Sequence, residues 1–259
     1  MILIDKYSYS SGLAQVSPKA KILYSMVPLV LCIGFNSIVV SSATILIMAF
    51  TTVKFGKMDF RAYFKMLLIP FSFLAVGTLT ILVNRFEPDH ILIFGLKIGR
   101  YAYGADMVTL IRSLKLVLKA LGAVSCMYFL SLNTPMSDLF QVLRRTKLPD
   151  VLVTLMELIY RYIFVLLDEA DRMNIAKDSR LGNRDFKTSL KSLGELASML
   201  FIRAYQRSDR IYAALESRGY NGQFVTLDEN YAYSRNMNTA SIMVSCLLLC
   251  AGLAEWFLF

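Results

Sequence analysis

The chain has 259 residues, 56% of them hydrophobic, with a mean hydropathy of +0.52 and a formal net charge of +9. Soluble domains hold roughly 45–50% apolar residues, so the excess points to lipid-facing surface. The cations are spread through loops between apolar runs and form no aromatic-basic stripe. That pattern excludes a nucleic-acid partner and fits the loops of a cationic membrane protein.

Met1 to Ala20 lacks a continuous apolar core and a small-residue cleavage site, so no signal peptide is expected. Ile22 to Val53 then contains no charged side chain over 32 residues. As one helix it would run about 48 Å, far beyond the ~30 Å hydrocarbon core. Two short spans joined near Asn36-Ser37 fit better. Lys19 and Lys21 precede the run, and Lys54, Lys57, Arg61 and Lys65 follow it. A hairpin places both basic flanks on one side, which the positive-inside rule makes cytoplasmic, together with the N-terminus.

Met66 to Val83 is the third expected span, with Pro70 as a kink near its cytoplasmic end. Asn84 to Asp106 is the main outer loop and holds the only histidine, in Glu87-Pro88-Asp89-His90. Such trios are common in loops by chance, so no metal site is assigned there. Met107 to Leu132 is the fourth span. Its first half places Arg112, Lys115 and Lys119 on one helix face. We read them as snorkelling cations of an amphipathic lead-in; the alternative is a basic face toward the bundle or a partner.

Asn133-Thr134-Pro135 opens a charged insert, with Thr134 as a cap and Pro135 in the first helical turn. Pro149 restarts a helix that runs to about Ser179. Its apolar half, Val151 to Leu167, carries Glu157 and Arg161 one turn apart, so it reads as a helix lying against the membrane, with a crossing left open. Asp168 to Arg180 is solvated. Leu190 to Leu215 shows one apolar stripe (Leu190, Leu193, Ala197, Leu200, Phe201, Ala204, Ile211, Leu215) with Arg203, Arg207 and Arg210 on a separate face. Met237 to Phe259 is a final span charged only at Glu255, which puts the C-terminus outside.

Asp138 to Arg235 holds 15 Lys/Arg against 13 Asp/Glu, the balance of a folded, water-exposed segment. The expected fold class is therefore an all-α integral membrane protein with about five transmembrane helices. Residues 1–132 form an N-terminal membrane region of about four spans, 133–236 a cytoplasmic insert of long helices, and 237–259 the C-terminal span. The four cysteines (Cys32, Cys126, Cys246, Cys250) lie in apolar runs and read as small buried residues.

Catalytic constellations are missing from the sequence. It has no G-x-x-x-x-G-K-[ST] loop for ATP, no H-E-x-x-H, no G-x-S-x-G and no intramembrane carboxylate pair. No enzyme activity and no cofactor are expected. A repeated helix ending stands out instead. Ala176-Lys177-Asp178-Ser179-Arg180-Leu181-Gly182 closes one insert helix, and Ala214-Leu215-Glu216-Ser217-Arg218-Gly219-Tyr220 closes the next. Each alone reads as a cap, a cation near the last carbonyls followed by glycine. Two Ser-Arg endings in one basic insert suggest docking on an acidic partner as well.

With these endings the sequence resembles the T component of energy-coupling factor transporters, within the CbiQ group tied to cobalt and nickel uptake. The resemblance extends through Ile4-Asp5-Lys6-Tyr7, Ser17-Pro18-Lys19-Ala20-Lys21, Asn133-Thr134-Pro135, Leu148-Pro149, Tyr160-Arg161-Tyr162 and Asp168-Glu169-Ala170-Asp171-Arg172-Met173. It implies two coupling helices, each ending in an Ala-Arg-Gly-like motif that enters a groove of an ATPase subunit. Ser179, Arg180, Ser217, Arg218 and Gly219 occupy those positions, though serine replaces alanine in both and Leu181 replaces glycine in the first. The implied role is the transmembrane coupling subunit of an ATP-driven uptake transporter in the plasma membrane. Its implied partners are ATPase subunits, a substrate-binding S component and membrane lipid. A vitamin-type T component, or an independent channel lined by Arg112, Lys115 and Lys119, remains open at this point.

Overall fold

Lys21 and Ser37 set the two ends of the first membrane hairpin. The computed structural model describes residues 3–82, 84–86, 94–98, 101–220, 231 and 235–258. Its elements are α1 (Leu3–Ser10), α2 (Pro18–Gly34), α3 (Ile38–Lys54), α4 (Phe60–Leu82), β1 (Asn84–Phe86), β2 (Phe94–Ile98), β3 (Tyr101–Ala105), α5 (Met107–Asn133), α6 (Met136–Arg144), α7 (Asp150–Ser179), α8 (Phe186–Ser217) and α9 (Arg235–Leu258). Pro18 takes the first turn of α2, where a missing N–H costs nothing. The uncharged run breaks after Gly34, and the Ser37 hydroxyl caps α3 by accepting from the Val40 N–H at 3.1 Å. The hairpin near Asn36-Ser37 is therefore present.

The chain forms two compact units, Ile2–Asp138 with Asn230–Phe259, and Leu139–Glu229. In the first, α5 is the central helix and packs against α1, α2, α3 and α4, while α9 packs on α2 and α3. Tyr24, Met48, Cys126 and Phe129 make the core between α2, α3 and α5. A second cluster of Met58, Tyr63 and Leu132 sits between α4 and the end of α5. Gly122 brings α5 close to its neighbours: a Cβ there would stand 2.7 Å from Cys32 Sγ and 3.4 Å from the Ser41 carbonyl oxygen. Small residues at such crossings are how membrane helices gain packing without a hydrophobic driving force.

Among the described residues, three helical segments are long and apolar enough to cross a membrane: Phe60–Leu82, Met107–Asn133 and Met237–Glu255. Ile38–Lys54 is a shorter apolar helix, and α2 matches its 17 residues. At 1.5 Å per residue such helices reach about 26 Å, which spans a bilayer with little tilt. Contacts sort the helix ends into two faces. Glu255 of α9 hydrogen-bonds with Ser37, and Asn36 lies beside the start of α5, so these ends share one face. Ser11, Lys21, Gly56 and Asn133 meet at the other. This alternation is that of five crossings by α2, α3, α4, α5 and α9.

That face is held by a buried polar hub. The Lys21 side chain is fully buried and donates to the Asn133 carbonyl at 3.0 Å. Asn133 in turn accepts from the Ser11 hydroxyl through Oδ1 at 2.8 Å and donates through Nδ2 to the Phe129 carbonyl. The buried Asp138 carboxylate attracts the Lys21 ammonium. Buried charge is tolerated only when paired and hydrogen-bonded in this way.

Several expectations need correction. The third span begins at Phe60 rather than Met66, because Arg61 and Lys65 in its first turns can snorkel to the interface; it runs through Pro70 without interruption. The loop between α4 and α5 contains a three-stranded antiparallel sheet of order β1-β3-β2, with Arg85 opposite Tyr103 and Leu96 opposite Tyr103 on the other side. Strands of three to five residues are hidden from a search for long apolar runs. His90 and both neighbouring carboxylates lie outside the described residues. Thr134 does not cap the insert with its side chain: it ends α5, its N–H reaching the Leu130 carbonyl, and its buried hydroxyl has no partner among the described residues. Cys32 and Cys126 are buried, but Cys246 and Cys250 are exposed on α9. Small apolar residues suit a lipid-facing surface as well as a core.

In the second unit α7 and α8 form an antiparallel helical hairpin. The Glu169–Arg203 ion pair and the Arg207 guanidinium over the Tyr162 ring, at 5.8 Å, mark the direction. Phe140 of α6 meets Tyr160 edge-on at 5.8 Å, and Arg144 bonds Glu157 at 3.0 Å, so α6 packs on the first half of α7. The single stripe expected on α8 is split. Leu200, Ala204, Ile211 and Leu215 are half-buried, whereas Leu190, Leu193, Ala197 and Phe201 are exposed. A helix with one neighbour in its unit can cover only part of a broad apolar face.

Candidate functional site

The repeated endings adopt one backbone geometry. At the end of α8, Arg218 is the C-cap and Gly219 follows at φ +73°. The Tyr220 N–H donates to the Leu215 carbonyl at 3.0 Å, and the Gly219 N–H to the Glu216 carbonyl at 3.0 Å. These two bonds define a Schellman turn. At the end of α7 Arg180 is the C-cap, and Leu181 takes the left-handed position at φ +59°. The Gly182 N–H donates to the Lys177 carbonyl at 3.0 Å, and the Leu181 N–H to the Asp178 carbonyl at 3.1 Å. The same turn therefore forms with leucine where glycine is favoured, at a cost of about 1–2 kcal/mol.

The side chains of both endings face solvent. Ser179, Arg180, Ser217 and Arg218 are exposed, as is Gly219. Each serine hydroxyl turns back on its own helix: Ser179 donates to the Ile175 carbonyl at 2.9 Å and Ser217 to the Ala214 carbonyl at 3.0 Å. Neither guanidinium has an ion-pair partner among the described residues. The turns thus satisfy the last carbonyls through the backbone and leave the arginine heads available. The simple capping reading explains the turns without using the guanidinium groups.

The two arginines lie at opposite ends of the hairpin, because α7 and α8 are antiparallel and each arginine closes its own helix. The 32 residues of α8 put them about 48 Å apart. Arg180 also lines a cleft of about 410 Å³ between α7 and α8, beside Lys177, Lys191, Glu195 and Arg203. Arg203 is held there by Glu169 and Lys191 lies 3.9 Å from Glu195, which leaves Lys177 and Arg180 as the cleft's cations without an ion pair among the described residues.

The other arginines differ. Arg203 is engaged by Glu169, and Arg207 by Tyr162. Their expected separate face is a seam that binds α8 to α7. Glu157, paired in sequence reasoning with Arg161, bonds Arg144 instead. Arg112, Lys115 and Lys119 do share one face, in the membrane unit, and line a cavity of about 360 Å³. Among the described residues no cluster of three metal-ligating side chains occurs.

A family model described as cobalt transport protein, CbiQ, matches residues 10–227. The chain belongs to the CbiQ cobalt transport protein family. It is 28% identical to the cobalt transport protein CbiQ of Salmonella typhimurium over 221 residues, covering 85% of this chain and 98% of that one. It is 35% identical to an uncharacterised protein of Methanocaldococcus jannaschii over 230 residues, with 87% and 83% coverage. A shorter match, 31% over 123 residues, joins it to the energy-coupling factor transporter transmembrane protein EcfT of Staphylococcus aureus, covering 43% of this chain and 46% of that one. This CbiQ family member is thus a multi-pass membrane component of a transport system, and the paired arginine turns lie within the matched region.

Proposed function

We propose that the chain is the transmembrane coupling subunit of an energy-coupling-factor-type uptake transporter, with cobalt as the ion carried by the assembled transporter. The observation that carries this reading is the repeated arginine-bearing Schellman turn at both ends of one antiparallel helical hairpin. Two equal docking ends about 48 Å apart suit a pair of ATPase subunits, each supplying a groove with carboxylates. The exposed apolar positions on both hairpin helices, Ile159 and Ile175 on α7 and Leu190 and Phe201 on α8, support a unit that is covered by partners or membrane.

In this reading residues 1–132 and 237–259 anchor the subunit and contact a separate substrate-binding membrane protein. Residues 133–236 form the cytoplasmic coupling insert, and the N-terminus shares its side. ATP-driven motion enters through Arg180 and Arg218 and passes along α7 and α8. The chain itself binds neither ATP nor metal. Cobalt follows from the family description and the relatives' names; nickel rests on the resemblance alone.

The deciding experiment is co-purification. Arg180→Glu with Arg218→Glu should release the ATPases and abolish cobalt uptake while leaving membrane insertion intact. Truncating one partner of a partly desolvated charged bond costs about 2–5 kcal/mol, and charge reversal adds repulsion. Arg218→Glu should therefore exceed Arg218→Ala. If the double variant keeps its ATPases at wild-type stoichiometry and still transports, the arginines serve only as caps.

A further inference from the structure

We propose that Arg112, Lys115 and Lys119 form a binding site for the phosphate headgroup of an anionic phospholipid, on the membrane face opposite Asn133. The three cations recur on one side of α5 and line a cavity of about 360 Å³ with Asn36, Val108 and Ile111. That volume lies within the range of clefts that hold small ligands, roughly 300–1,000 Å³. None of the three cations has an ion pair among the described residues. The carboxylate of Glu255, which lies at the same face, is engaged by Ser37.

Depth selects the occupant. The polar hub of Ser11, Lys21 and Asn133 marks one membrane boundary. Counting back along α5 from Asn133 places Lys119 about 21 Å away, Lys115 about 27 Å and Arg112 about 32 Å. With a hydrocarbon core of ~30 Å, Arg112 stands at headgroup level, and Lys115 and Lys119 reach toward it by extending their side chains. The wall is mixed in the way a lipid requires: Val108, Ile111 and Leu116 flank the cations. An acyl glycerol can lie on that apolar wall while its phosphate meets the three charges. A soluble anion has no use for the wall. A channel would need the cations to continue across the membrane, and toward Asn133 α5 carries no further charge.

The test is native mass spectrometry of the full-length chain, titrated with phosphatidylglycerol, phosphatidylcholine and inorganic phosphate. One phosphatidylglycerol should be retained saturably, with phosphatidylcholine weaker and inorganic phosphate unable to displace it. Arg112→Gln, Lys115→Gln and Lys119→Gln together should weaken retention on the order of 100-fold. Removing the same charge at the opposite face, Lys54→Gln with Arg61→Gln and Lys65→Gln, should leave it unchanged. A photo-crosslinking phosphatidylglycerol on the wild-type chain gives a readout that needs no variant, and its label should fall within residues 108–119. Equal loss in both triple variants, equal retention of phosphatidylcholine, displacement by phosphate, or label only elsewhere would each overturn the proposal. So would protection of this groove from the lipid by an acidic segment of a partner protein.

Discussion

The helices α5 and α8 are of similar length, 27 and 32 residues, yet they are built on opposite plans. α5 buries Ser113, Gly122, Ser125, Cys126 and Asn133 as well as Leu121, Phe129 and Leu132, and leaves Leu110, Leu114 and Leu116 outside. α8 buries no residue fully, and Leu190, Leu193 and Phe201 stand exposed. In the membrane unit lipid solvates the apolar side chains, so small and polar residues mediate helix contact. In the insert the same exposure has no lipid-span explanation, since α8 lacks the uncharged length of a span. Within its unit, α7 covers only part of that apolar surface.

The largest expected effect lies in the hub of the membrane unit. Lys21→Met leaves the Asn133 carbonyl and the Asp138 carboxylate buried without their cation, which should cost about 3–5 kcal/mol. Chemical unfolding in detergent micelles would read it, and adding Asp138→Leu should recover most of the loss. A negligible loss for Lys21→Met would mean that the hub is hydrated rather than sealed. Next comes Gly122→Val, which pushes a side chain into Cys32 and Ser41. Its cost should be about 1–3 kcal/mol by the same measurement. A neutral outcome would show that α5 does not pack tightly in the bilayer.

Changes in the insert should be smaller. Leu181→Gly removes the left-handed strain at the end of α7 and should stabilise the hairpin by about 1 kcal/mol. Gly219→Ala at the matching turn should do the reverse, so the pair of variants tests whether the two endings share one geometry. Hydrogen exchange at the Gly182 and Tyr220 amides would follow it locally. The smallest effect is expected at the seam. Arg203→Ala removes a partly exposed pair with Glu169 and should cost about 0.2–1 kcal/mol, fading at high salt. A larger, salt-insensitive loss would mean that the seam is dry.

The apolar spans were legible because lipid imposes a simple rule: a helix that crosses must be apolar over a fixed length. The hairpin break near Asn36 followed from length and from the flanking lysines together. Arg180 and Arg218 were legible as a repeat because local helix-stop chemistry is written in adjacent residues. The split of the α8 stripe was not, since Leu190 and Leu200 are equally apolar and only the position of α7 distinguishes them. The sheet between α4 and α5 escaped because its strands are three to five residues long.

Composition and charge order alone thus specified a multi-pass helical protein, its basic flanks and the residues at its two arginine endings. They are local properties, set by what each segment can do in lipid or at a helix end. Folding supplied the pairings between distant residues: Lys21 with Asn133, Glu157 with Arg144 rather than Arg161, and Arg203 with Glu169. It also decided that Arg203 and Arg207 would be held against α7 while Arg180 and Arg218 stayed exposed. Helical spacing places cations on faces, but which face meets a neighbour depends on packing between helices that no local pattern encodes.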